Sequence, residues 1–113
     1  MGEERAGDSV RDSDGYPTEA GLNQIKIYSG DFYTENSKMD IEKLIELLQE
    51  LWHFSDYLIR DGAELELHTG GWSGNEDVIS ALQPSLFWML FWRKSERGGH
   101  YYFELPITKE GIA

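Results

Sequence analysis

Two histidines, a tyrosine and several carboxylates fall at spacings that could do chemistry together. Glu66 and His68 alternate within Glu64–His68, and His100, Tyr102 and Glu104 alternate within His100–Leu105. Residues two apart on a strand project from the same side. If the two segments pair, Glu66, His68, His100 and Tyr102 therefore become a candidate acid–base or metal-ligating set beside Glu64 and Glu104. Neither segment has the H-E-x-x-H pattern or a comparable ligand spacing, and charged residues on an open sheet face are ordinary. The residues thus predict no metal and no cofactor, and catalysis by this set stands as an alternative reading.

A second set is electrostatic. Glu42, Glu46 and Glu50 recur every four residues, which stacks them along one line of a helix, with Gln49, His53, Asp56 and Tyr57 beside it. Like charges at that spacing oppose the helix by about 0.2–0.5 kcal/mol per pair. Such a line is either a solvated face or a patch that steers a basic protein surface toward the chain. As a docking patch it could imitate the phosphate array that a nucleic-acid enzyme expects.

The turn Thr69-Gly70-Gly71-Trp72-Ser73-Gly74 could in principle cradle an anion. No lysine follows it, its glycine spacing matches no nucleotide fingerprint, and Glu76 and Asp77 already bring negative charge to the following helix start. A tight turn with Trp72 packed on the sheet, or a recognition loop, fits better. Further on, Phe87, Phe91 and Tyr102 need a cover: either the short helix shields them, or they form an apolar patch rimmed by Arg93, His100 and Glu104 that suits a partner or a second copy of the chain.

The elements that must position these groups follow from periodicity. Gln24–Tyr28 alternates as a short edge strand would. From Ser37 the period becomes helical, with Ile41, Leu44, Ile45, Leu48, Leu51, Trp52, Ser55, Leu58 and Ile59 on one face and Leu47 and Phe54 beside it; Ser37 and Asp40 offer a capping box, and Gly62 is a stop. This predicts one long amphipathic helix. Ala63–Thr69 reads as a strand with Leu65 and Leu67 facing that helix, and Ser73–Glu76 opens a short helix that Pro84 ends. Leu86–Trp92, continuously apolar, reads as a central strand, with His100–Leu105 as its hairpin partner. A four-residue turn would then place Trp88, Leu90 and Trp92 with Tyr101, Phe103 and Leu105 on one face. The fold class predicted is α+β: one long and one short helix on a mostly antiparallel sheet with a C-terminal β-hairpin.

Composition bounds the rest. The 113 residues contain 21 acids, 10 Lys and Arg and no cysteine, a net charge of −11. Disulfide scaffolds, zinc ribbons and thiol nucleophiles are excluded for want of sulfur. Residues 31–77 hold twelve acids against three bases, a local charge of −9, whereas residues 1–20 hold six acids and two bases. Residues 1–21 read as a flexible acidic tail and 22–113 as a single domain. Excess negative charge opposes direct nucleic-acid and anionic-membrane binding. With no apolar run of spanning length and no signal-like segment, the expected compartment is the cytoplasm.

The blocks HTGGWSGNEDVISAL, LFWMLFW and RKSERGGHYYFEL, between Leu65 and Leu105, resemble small proteins encoded by bacteriophages and mobile elements. The resemblance implies a phage-like setting, in which small acidic proteins that disable host machinery are common; it carries no residue roles. The leading expectation is a non-enzymatic module, an inhibitor or accessory factor, that occludes a basic, nucleic-acid-handling partner. Glu42, Glu46, Glu50 and Asp56 would supply charge; Trp72, Phe91, Arg93 and Tyr102 would supply anchors. The alternative is a small-ligand or hydrolase-like domain using Glu66, His68, His100 and Tyr102 beside the Trp72 turn.

Overall fold

The computed structural model describes residues 9–108 and 111–112. Helices cover one face of an antiparallel four-stranded sheet of order β1-β2-β4-β3, which makes the protein α+β. The elements in chain order are α1 (Glu19–Ser29), α2 (Ile41–Leu51), a 3-10 turn (Ser55–Tyr57), β1 (Leu58–Asp61), β2 (Glu64–His68), α3 (Ser73–Leu82), α4 (Leu86–Phe91), β3 (Trp92–Glu96) and β4 (His100–Glu104). A two-residue ladder, β5 (Ile107–Thr108) with β6 (Gly111–Ile112), follows. No helix among the described residues is long and apolar enough to cross a membrane.

The segment predicted as a strand at Gln24–Tyr28 is helical. Five alternating residues are compatible with either period, and the caps outside that window decide: the Thr18 hydroxyl accepts from the Gly21 amide, and Gly30 closes α1 at φ 75°. Ile25 is buried, with Leu22 and Tyr28 packed on the core at helical spacing. The preceding residues are part of the fold as well, so the tail reading does not hold from Ser9 onward. Val10 is buried, the Thr18 amide donates to the Val10 carbonyl, and Arg11 Nη1 donates to the Glu50 carbonyl at 3.1 Å. The remainder of the expected tail, 1–8, lies outside the described residues.

The one long helix is likewise corrected. α2 begins after Asp40, whose Oδ1 accepts from the Lys43 amide, while the Ser37 hydroxyl donates to the Asp31 carbonyl instead of capping. Its apolar face is as read: Ile41, Leu44, Ile45, Leu47, Leu48 and Leu51 are all buried. The helix stops at Leu51 because the next residues are bound elsewhere. Trp52 Nε1 donates to the His68 carbonyl, and His53 pairs through its backbone with Asn75. Leu58 and Ile59, expected on the helix, belong to β1 and pair with Leu67 and Glu66 of β2.

Leu86–Phe91 forms α4, not a central strand. Ser85, fully buried, accepts from the Trp88 amide and donates to the Leu82 carbonyl, which starts a helix directly after Pro84. Trp88 meets Tyr101 and Phe103 from this helix, and Phe87 stacks near Phe103. The hairpin is present but shifted: β3 runs Trp92–Glu96, Glu96 pairs with His100, and an irregularity between Trp92 and Lys94 sets Trp92 opposite Phe103. Three residues, Arg97 to Gly99, make the turn. The expected shared face of Trp88, Leu90 and Trp92 is therefore absent, and Met89, Leu90 and Trp92 are exposed.

Leu65, Leu67 and Phe103 face the helices in the main core, together with α2, α3 and Phe87. Cross-strand pairing puts Asp61, Glu64 and Glu104 in one row of the opposite face, Ile59, Glu66, Tyr102 and Lys94 in the next, and His68, His100 and Glu96 in the third.

Asn75 joins three parts of this fold. It is fully buried; its Oδ1 accepts from the His53 amide at 3.0 Å, and its Nδ2 donates to the His53 carbonyl at 3.0 Å and the Thr69 carbonyl at 3.2 Å. Asn75→Ala removes the partners of the His53 amide and carbonyl, while the Thr69 carbonyl keeps the Trp72 amide; urea unfolding is expected to show a loss of about 3 kcal/mol. A loss below about 0.5 kcal/mol, the ordinary surface value, would show that the clamp is dispensable.

Candidate functional site

Two surfaces hold the residues singled out above. The first is the outer sheet face, where His68 and His100 are direct cross-strand partners. Their Nδ1 atoms lie 2.7 Å apart, and His68 Nε2 lies 3.0 Å from Glu66 Oε1. A carboxylate only accepts, so His68 donates from Nε2 and, when neutral, presents Nδ1 as an acceptor to the Nδ1–H of His100. Tyr102 packs edge-on to His68 at 5.8 Å between centroids, and its hydroxyl donates to Glu96 Oε1 at 3.2 Å. The sheet thus brings Glu66, His68, His100 and Tyr102 together as the alternation of the two strands predicts.

It does not enclose them. A groove of about 350 Å³ beside the cluster is lined by Glu64, Glu66, Arg93, Lys94 and Tyr102, and neither imidazole contributes to it. Arg93, expected as a partner anchor, is ion-paired with Glu104 at 3.4 Å, an exposed contact of small worth. Lys94 sits 4.8 Å above the Tyr102 ring and 3.3 Å from Glu96. Among the described residues no group of three His, Asp or Glu side chains is placed to hold a metal.

The second surface joins the acidic line to an aromatic ridge. Glu42, Glu46 and Glu50 are exposed on α2, opposite its buried leucines, and Asp56 is exposed in the 3-10 turn that follows. Directly after α2, His53 stacks on Trp72 at 4.4 Å, Trp72 meets Tyr16 at 4.7 Å, and Phe54 lies 4.4 Å from His53 and 5.4 Å from Tyr57. Tyr16, Phe54 and Tyr57 keep 40%, 47% and 44% of their surface in solvent. Two glycines let the rings lie flat. A side chain at Gly74 would overlap the Trp72 indole, and a Cβ at Gly70, itself at φ 63°, would come within 2.7 Å of the Tyr57 ring.

Phe54 is the residue the sequence did not flag. It holds φ 64° and ψ 77°, a left-handed conformation that costs a bulky residue about 1–2 kcal/mol. Its hydropathy placed it beside the apolar helical face, and no local pattern marks a left-handed phenylalanine. Trp72, expected to pack on the sheet or to sit in a recognition loop, instead lies half-buried over the first turn of α3 with His53 and Tyr16 as neighbours. Phe91 is half-buried against Phe87. Comparison with family models, curated proteins and solved structures finds no significant match to this chain.

One titration follows from the outer face. Lys94, and after it the Tyr102 hydroxyl, hold the Glu96 carboxyl below its usual range; partial desolvation and then the bond to Glu96 raise the Tyr102 phenol. The lowered carboxyl contributes stability that is present above its unfolded-state pKa and lost as pH falls through the folded value. In an NMR titration Lys94→Met is expected to return the Glu96 carboxyl toward its ordinary value, and Tyr102→Phe to return it less far. An unchanged midpoint in Lys94→Met would contradict the assigned cause.

Proposed function

We propose that the protein is a non-enzymatic binding module that docks on a basic protein surface and acts by occluding it. The observation that carries this reading is Phe54. A strained backbone persists where surrounding contacts over-determine it, and such strain gathers at functional sites. Here the clamp of Asn75 on His53 holds the preceding residue from both sides, and the strain presents a large apolar ring to water instead of burying it.

Two further features support it. Tyr and Trp are the residue types that most often anchor protein interfaces, and Tyr16, Trp72 and Tyr57 flank the ridge. The ridge continues from the C-terminus of α2, so the exposed Glu42, Glu46 and Glu50 lead toward it along the same chain. Acids around an apolar anchor raise the on-rate for a cationic partner and select against acidic ones. Arg11, near the end of α2, directs its guanidinium into the Glu50 and Gly15 carbonyls.

In this reading Glu46, Glu50 and Asp56 steer, and Phe54 with Tyr57 and Trp72 anchors. A phage or mobile-element inhibitor of a nucleic-acid-handling host protein in the cytoplasm is the setting the sequence resemblance implies. The test is capture of partners from a host lysate by wild type and two variants. Capture is expected to fall as salt rises and to be lost in Glu46→Lys/Glu50→Lys. Phe54→Gly is expected to weaken it at least 10-fold, while global stability changes by no more than about 1 kcal/mol because glycine accepts φ 64° freely. Equal capture by wild type and both variants would overturn the proposal.

A further inference from the structure

We infer that His68 and His100 form a binding site for an imidazole-preferring divalent cation, Zn²⁺ or Cu²⁺, on the outer face of the sheet. The inference is independent of the docking surface and starts from the facing Nδ1 atoms, 2.7 Å apart. Glu66 keeps the ring hydrogen of His68 on Nε2, which leaves the Nδ1 lone pair of the neutral ring directed at His100. Carboxylates orient metal-binding histidines in this way, with the hydrogen held on the far nitrogen and the bare nitrogen turned to the ion.

Without a cation, the Nδ1–H of His100 fills the space between the rings. A cation replaces it when His100 moves that hydrogen from Nδ1 to Nε2, a tautomer change that releases no net proton and leaves two neutral nitrogens as ligands. At Zn–N distances of about 2.0–2.1 Å, two tetrahedral ligands stand about 3.3 Å apart, so the rings must separate by about 0.6 Å. His68 is held by Glu66 and Tyr102, with its side chain 18% exposed, so the displacement falls on His100, a partly exposed side chain at the sheet surface.

The surroundings favour a cation. Asp61, Glu64, Glu66, Glu96 and Glu104 share this face with Lys94, and Arg93 reaches it through Glu104. Glu96 is the direct cross-strand partner of His100. Two imidazoles are the whole protein contribution, so water completes the coordination and the affinity lies below that of a closed four-ligand site. Imidazole donors select Zn²⁺ and Cu²⁺ over Mg²⁺ and Ca²⁺, which prefer oxygen.

The experiment is calorimetric titration of the full chain with Zn²⁺ alone and with Cu²⁺ alone. One ion per chain is expected, weakened at least 10-fold in His68→Gln and in His100→Gln and unchanged in His53→Gln. Glu66→Gln is expected to cost about 10-fold through loss of the orienting carboxylate, and Mg²⁺ is expected not to compete. Should a histidine variant fail to fold, ¹⁵N shifts in the wild type decide: coordination moves the Nδ1 signals of His68 and His100 together. No binding tighter than about 100 µM, equal binding in the folded glutamine variants, or Nδ1 signals unmoved by metal would each overturn the site.

Discussion

The fold hangs on one buried amide. Asn75 occupies the first turn of α3, yet its side chain serves the backbone of His53 and Thr69, two segments that the helix does not contain. Its two bonds to His53 reproduce what a neighbouring strand would offer, one donor and one acceptor. A helix leaves its last carbonyls without partners inside it, and the backbone that follows must find its own. Here that need is met by Asn75 for His53 and by the Trp52 indole for the end of β2. The same three bonds therefore end α2, seat α3 and fix the turn before it.

The strain at Phe54 follows from that constraint. With His53 held on both sides and Tyr57 bonded back to the Phe54 carbonyl, the intervening residue must reverse the chain in very little length. Glycine or asparagine does this at low cost, and phenylalanine does not. The clamp supplies the stability that the conformation consumes. What the chain gains is a ring in water next to His53, Trp72 and Tyr16, an arrangement with no evident use in folding.

The sequence revealed faces better than boundaries. The buried set of α2 and the inward Leu65 and Leu67 were legible because a face is encoded by many residues at one period. The convergence of Glu66, His68, His100 and Tyr102 was legible for the same reason, since two alternating strands that pair must align their polar sides. Boundaries were not. A helix through Leu58 and Ile59 continues the 3.6 period without fault, and only the distant partners of His53 and Trp52 interrupt it. Leu86–Phe91 is apolar all round, so its period is mute and the Ser85 cap decides. Phe54 was illegible because its conformation is imposed by Asn75, 21 positions away.

Charge then bears on how such a surface can be used. The helices and the sheet share one core, and the exposed side of α2 and the outer sheet face both look away from it. Both are acid-rich: Glu42, Glu46 and Glu50 on one, Asp61, Glu64, Glu66, Glu96 and Glu104 on the other. Two copies meeting through either face would set like charges against each other, a penalty that grows as water is excluded between them. Self-association through these faces is therefore opposed by the charges that favour a cationic partner. An apolar surface of a different character, Met89, Leu90 and Trp92 at the junction of α4 and β3, is adjoined in sequence by Arg93 and Lys94 instead of acids. The fold thus separates the groups suited to a basic partner from the exposed apolar residues least hindered by charge, and occupation of one surface leaves the other open.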